Sequence, residues 1–414
     1  MLEQATPDAP RQTERTGGDL ALENDLRALT LLNLGTIEAS LALPDAERHL
    51  REGRSLAQDI GRPYLELGCL AQLGCAARIR PFATTQQRIR EAIEFAERHG
   101  WGEEPIIAPA LVTLAGTLAW TGRFDEAEHW LRRTARVVAE DTGPDIGMPL
   151  HMVSGMIHAC LGRHREALPH LRAAERLHSL LTDSHAVANQ VTGWLLATQA
   201  RAGMLDEARA ALAGLDDHAG EIRNARAAIH LAEDDPAAAL TSVRAALDGT
   251  APVVGYVTLV ETHLLAAHAH RRLGDRPAAQ LATERALALA EADQLVLPFA
   301  MTGATELLRA LARRDTAHRA LLIHILDLLR GPPATADARS AAGATATLSP
   351  SELRVLRYLP TNLSRPEIAA ELSVSLNTVS THIRSIYTKL GVGDRTSAVR
   401  RAQTLGTPGT TGQG

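Results

Sequence analysis

The sequence predicts an all-α protein, a solenoid of helix pairs followed by a small four-helix domain. Three observations predict it. Aromatic residues make up 3% of the 414 positions while apolar residues reach 45%, so the core must be mostly Ala, Leu and Val, which favours close-packed helices. A small residue recurs roughly every 40 positions through most of the chain. The segment 348–405 then breaks into four short amphipathic stretches, each with its own start signal.

Residues 1–20 are polar, with Pro7, Pro10, Gly17 and Gly18, and are expected to form a disordered tail. From 21 to 330 the pattern is helical and repeats. The small position recurs at Ala46, Ala127, Ala167, Ala208, Ala239 and Ala279, and the member missing between the first two falls at Gln86. The spacings are then 40, 41, 40, 41, 31 and 40. Each unit reads as a helix, a short turn often holding Gly, and a second helix starting near an acidic residue. Ala is expected where the paired helices approach closely. Trp101, Trp120, Trp130 and Trp194 are read as packing between helices and not as a ligand cage. Residues 331–347 (GPPATADARSAAGATAT) are expected to be a linker, and 407–414 a second loose tail.

The stretch 348–406 carries the densest signals. Ser349-Pro350-Ser351-Glu352 and Ser364-Arg365-Pro366-Glu367 are capping boxes with Pro in the first turn. Ser375 is the expected N-cap of a third helix, and Gly391 its left-handed C-cap beside Lys389. Val379, Ile383, Ile386 and Leu390 form one apolar stripe on that helix. Asn377, Thr381, Arg384 and Thr388 repeat the same steps two residues earlier, on roughly the opposite side. A helix packed through one face and offering amide, hydroxyl and guanidinium on the other suits the major groove of DNA. Asp394 or Thr396 is expected to open a fourth helix, with Ala398, Val399, Ala402 and Leu405 inward. The second and third helices joined by the short turn Ser373-Val374-Ser375 make helix-turn-helix geometry.

Those residues also carry a resemblance. Leu348-Ser-Pro-x-Glu352, Ser364-x-x-Glu367-Ile368-Ala369, Val374-Ser375-x-Asn377-Thr378-Val379-x-Thr381-His382, Lys389-Leu390-Gly391-Val392 and Arg395-Thr396-x-Ala398-Val399 resemble the LuxR-type DNA-binding domain over about 58 of the 414 residues. The resemblance implies a third helix in the major groove of double-stranded DNA and a homodimer reading paired half-sites. The expected DNA-binding set is Asn377, Thr378, Ser380, Thr381, Arg384, Ser385, Thr388, Lys389 and Arg395. Arg384 is the expected base reader, with Thr381 and Asn377 beside it. Ser380 stands where many family members carry Lys or Arg, and is too short to replace that contact. The repeat body resembles tetratricopeptide-type helical repeats, with a period nearer 40 than the usual 34. A stack of that kind implies a concave face for a protein or small-molecule effector.

Charge agrees with this division. Residues 341–414 hold eight basic and four acidic residues, a net of +4, leaving −9 for the first 340 of a chain whose total is −5. Lys389 is the single lysine among 43 basic residues. A phosphate-binding Gly-x-x-x-x-Gly-Lys-Ser/Thr loop is therefore excluded. No His-Glu-x-x-His or Gly-x-Ser-x-Gly motif occurs. We expect no enzyme, no catalytic residue, no cofactor and no metal, and read His164, His170, His268 and His270 as surface residues. Cys69, Cys75 and Cys160 are expected to be reduced thiols of a cytoplasmic protein, with no membrane span.

The expected function is sequence-specific transcriptional regulation by a DNA module joined to a sensing body. Two alternatives stand beside it: a repeat scaffold for protein interactions, and an ATPase-less fragment of a larger LuxR-type regulator, whose C-terminal two thirds the chain is similar to.

Overall fold

The computed structural model describes residues 17–76, 82–138, 143–181, 186–216, 218–314, 316–329, 350–361, 363–372, 376–390, 392 and 395–404. The described residues hold twenty-one α-helices and no strand. Contacts divide the chain into two compact units, Met1–Gly331 and Pro332–Gly414. The expected linker at 331–347 and the tail at 407–414 lie outside the described residues. The first helix already begins at Gly17, four residues before the expected start of the body.

Seven helix pairs form most of the first unit. They are α1 (Gly17–Ser40) with α2 (Ala46–Asp59), α3 (Pro63–Ala76) with α4 (Phe82–Arg98), and α5 (Ala108–Trp120) with α6 (Phe124–Val137). Next come α7 (Pro144–Cys160) with α8 (His164–His178), α9 (Ala188–Arg201) with α10 (Leu205–Ala213), α11 (Gly220–Ala232) with α12 (Pro236–Leu247), and α13 (Tyr256–Arg272) with α14 (Arg276–Glu291). Three shorter helices follow: α15 (Leu297–Thr302), α16 (Thr305–Leu311) and α17 (Arg319–Leu329). Each first helix touches its own partner and also the next first helix, so the first helices form a continuous row. Sequence follows position in the stack. α5, in that row, buries nine of its thirteen residues, whereas the amphipathic α6 buries only Ala127, Leu131, Thr134 and Val137.

The recurrent small residue sits in the first turn of each second helix. Ala46, Ala127, Ala167, Ala208, Ala239 and Ala279 are at most 5% exposed. In α4 the member is Thr85 and not Gln86. Thr85, Ile89, Ala92 and Ala96 are buried at the same steps as Ala46, Leu50, Gly53 and Ala57, and Gln86 is half-buried. The spacings become 39, 42, 40, 41, 31 and 40. The short one includes α10, only nine residues long. Close approach within a pair is supplied by glycine on the first helix. A Cβ on Gly155 would stand 2.7 Å from Leu171 Cγ, and one on Gly35 would stand 2.6 Å from Leu50 Cγ.

Six of the pairs share one turn. At α5–α6 the Arg123 N–H returns to the Leu118 carbonyl and the Gly122 N–H to Ala119, around a left-handed Gly122 (φ +77°). This is the Schellman arrangement. It recurs at Ala42, Gly162, Gly203, Asp234 and Gly274.

The end of the first unit folds back against the row. The Val296 N–H donates to the Trp120 carbonyl (2.9 Å), and the Phe82 N–H to Asp293 Oδ1 (2.8 Å). α15 packs on α5, α7 and α13, and Phe299 within it is fully buried. Trp120 packs between Phe82 and Trp194 at ring distances of 6.3 and 5.6 Å. His268 is not the surface residue expected. Burial pushes its imidazole down to about 4. Among the described residues no helix is long and apolar enough to cross a membrane, no group of three potential ligands could hold a metal, and the three cysteines form no disulfide.

The second unit holds α18 (Pro350–Leu356), α19 (Arg365–Glu371), α20 (Leu376–Leu390) and α21 (Arg395–Thr404). α20 touches the other three. The shared core includes Val355, Leu359, Ile368 and Ala398.

Candidate nucleic-acid interface

α20 is held by the stripe its spacing predicts. Val379 and Ile386 are fully buried, Ile383 is 3% exposed and Leu390 7%. Four residues at steps of 4, 3 and 4 cover one side of a helix. Asn377, Thr381, Arg384 and Thr388 fall by register on the other side. They belong to α20 together with Thr378 and Lys389. The side chains of these six lie outside the described residues. Ser380 on the same helix is half-buried.

The preceding helix begins as its sequence dictates. Glu367 at the third position of α19 reaches back to accept the Ser364 N–H (2.7 Å) and hydroxyl (2.6 Å). These bonds hold the Glu367 carboxyl below the usual carboxylate range. The turn Ser373–Ser375, including the expected cap Ser375, lies outside the described residues, as do Ser349, Gly391, Asp394 and Leu405. The end of α20 is marked by the Val392 N–H donating to the Tyr387 carbonyl (2.9 Å).

Two members of the expected DNA-binding set have partners inside the domain. Ser385 donates to Glu352 Oε1 (2.6 Å), and Glu352 is only 4% exposed. The bond ties α20 to α18. Arg395, the first residue of α21, donates to four carbonyls: Leu359 (2.8 Å), Leu363 (2.8 Å), Thr361 (2.8 Å) and Tyr358 (3.1 Å). Four of its five N–H groups are thus spent on the chain between α18 and α19. Arg395, expected in the DNA-binding set, is held here by internal bonds. A guanidinium answers several convergent carbonyls that no helix satisfies. Sequence reading missed this role, and Glu352 as an anchor, because the partners lie more than thirty residues away with no local pattern joining them.

The domain therefore presents a helix fixed on one side, with the polar positions of Asn377, Thr381, Arg384 and Thr388 on the side its core leaves unused. A family profile described as bacterial regulatory proteins, luxR family, matches residues 346–402. The HTH-type transcriptional regulator MalT of Serratia proteamaculans (strain 568) is 44% identical over 61 residues, which are 15% of this chain and 7% of that protein. The chain thus matches a small part of that relative's length. Buried stripe, capped α19 and family match coincide on the same residues, and the C-terminal unit is a helix-turn-helix domain of the luxR family of bacterial regulatory proteins.

Proposed function

We propose that this protein is a cytoplasmic transcriptional regulator whose C-terminal domain binds double-stranded DNA as a homodimer, and whose helical body senses a small molecule or a protein partner. The observation that carries the reading is α20, buried through Val379, Ile383, Ile386 and Leu390 and polar on its other side. That polar side enters the major groove. Phosphate contacts supply most of the affinity and groove contacts the sequence choice. Arg384 reads guanine, flanked by Thr381 and Asn377, and the chain acts as a binding protein rather than an enzyme.

The test uses residues 341–414, whose helices share their own core, beside residues 17–331. Gel shifts at low salt should show binding by the first fragment and none by the second. A randomised half-site library then separates base reading from positioning. Arg384→Ala should cost about 1–3 kcal/mol and relax the preference at one base pair. A variant that keeps its preference and loses only about one unit of salt slope would assign Arg384 to phosphate. Binding by the 17–331 fragment alone would overturn the proposal.

A further inference from the structure

A pocket lies in the first unit, between α9, α11, α13 and α15. One stripe of α9 lines it: Gln190, Trp194, Ala197 and Arg201, at steps of 4, 3 and 4. Most polar groups around it are satisfied from within. Glu221 accepts the Val254 N–H (2.8 Å) and the Thr258 hydroxyl (2.7 Å). Asn224 donates to the Thr258 carbonyl and accepts from Thr262. Glu261, 7% exposed, accepts the Trp194 Nε1–H at 3.0 Å.

Two groups on the stripe have no partner among the described residues, one buried and one exposed to solvent. Gln190 is 5% exposed, and its amide Nε2 has no hydrogen-bond partner among the described residues. A buried amide donor left empty costs roughly 1–3 kcal/mol. Arg201 stands at the other end of the stripe. It is exposed to solvent at that end, and no hydrogen bond or ion pair of the described residues engages its guanidinium. Both groups are donors, and one is a cation. Eleven residues at about 1.5 Å each separate their backbones by roughly 16 Å along α9. A single inorganic anion therefore reaches only one of them. The wall between is apolar: Trp194, Ala197, Leu265 and Met301. One cation neutralises one negative charge, and a dianion would leave its second charge uncompensated in a site that already holds Glu261.

We propose that this pocket binds an elongated organic monocarboxylate. Its carboxylate pairs with Arg201, its apolar body lies along Trp194 and Met301, and a distal carbonyl or hydroxyl oxygen accepts from the Gln190 amide. The proposal rests on the reading of the first unit as the sensing half of a regulator. It gives that half a site and a ligand class.

The test uses the full chain, tryptophan fluorescence and three probes. Monomethyl suberate carries the carboxylate and the distal oxygen, octanoate only the carboxylate, and dimethyl suberate no charge. Monomethyl suberate should bind about tenfold or more tightly than the diester. Arg201→Met should abolish that difference, with Arg201→Lys keeping part of it. Gln190→Leu should remove the preference for monomethyl suberate over octanoate. No saturable binding of monomethyl suberate at millimolar concentration overturns the proposal, as does equal binding of acid and diester. An acid preference that survives Arg201→Met overturns it too. The acid-to-diester comparison needs no variant, so a misfolded mutant leaves the test intact. A gel shift on the same full chain, run in parallel, separates failure of the pocket from failure of the regulator reading.

Discussion

Arg395 donates to carbonyls 32 to 37 residues earlier in the chain. Each charge-assisted bond is worth roughly 1.5–3 kcal/mol net, and losing the donor strands several carbonyls at once. Arg395→Ala should therefore lower the stability of the C-terminal domain by at least about 3 kcal/mol, with Arg395→Lys recovering little because an ammonium lacks the planar fork. Thermal denaturation of residues 341–414 checks this. A native-like melt of the alanine variant would return Arg395 to the DNA-contacting set. Glu261 makes the matching case in the body. Burial is the main cause that pushes its carboxyl from 4.5 up to about 7, and the neighbouring Glu221 adds to it, against the hydrogen bond from Trp194. The folded state then holds a proton that the unfolded chain has released, so stability falls as pH rises from about 4.5 to 7 and levels beyond. Glu261→Gln keeps an acceptor for Trp194 and removes the charge. It should match the wild type near pH 4.5 and exceed it by up to roughly 3 kcal/mol at pH 8. Parallel melts at the two pH values decide, and equal stabilities at pH 8 would show that the carboxylate is better solvated than its burial implies.

At the scale of the element, the repeated turn explains which residues the period selects. Four of the six turns within pairs use Gly at the left-handed position, and the other two use Ala42 at φ +57° and Asp234 at φ +62°. Asp tolerates that conformation better than most residues, yet still carries a Cβ that Gly lacks. Its ion pair with Arg272 is 3.4 Å long with the Asp side chain 89% exposed, and contributes little. Asp234→Gly should raise stability by about 0.5–1 kcal/mol, or about 2 °C in the melting of the body. Gly203→Ala should move the melting point the other way by a similar amount. A lower melting point for Asp234→Gly would assign the ion pair more weight than its exposure suggests. The helix pairs were legible from this spacing, because small residues and turn glycines mark each repeat locally. The register of α4 was not. Thr85 is as buried as the alanines it replaces, but only the packed helix distinguishes it from its neighbour Gln86.

At the scale of the whole molecule, the first unit is held by bonds between distant repeats. Asp293 accepts the Phe82 N–H and the Tyr256 hydroxyl, and three residues on Val296 donates to Trp120. Asp293→Ala strands both donors. It should open the 293–302 segment by roughly 1–2 kcal/mol, seen as about tenfold faster hydrogen exchange at the Val296 amide, with α5 and α6 little changed. Unchanged exchange there would mean that the buried Phe299 alone seats α15. The amino-acid sequence by itself determined the all-α class, the recurrent close contacts and the two faces of α20, because caps, periodicity and small residues act over a few neighbouring positions. Tertiary structure alone decided three things. It gave Arg395 and Ser385 partners within their own domain, seated α15 against the row of first helices, and left the buried Gln190 amide without a partner in the pocket that Arg201 also lines. Each depends on groups tens to hundreds of residues apart, and no local pattern records which donor meets which acceptor until the chain is packed.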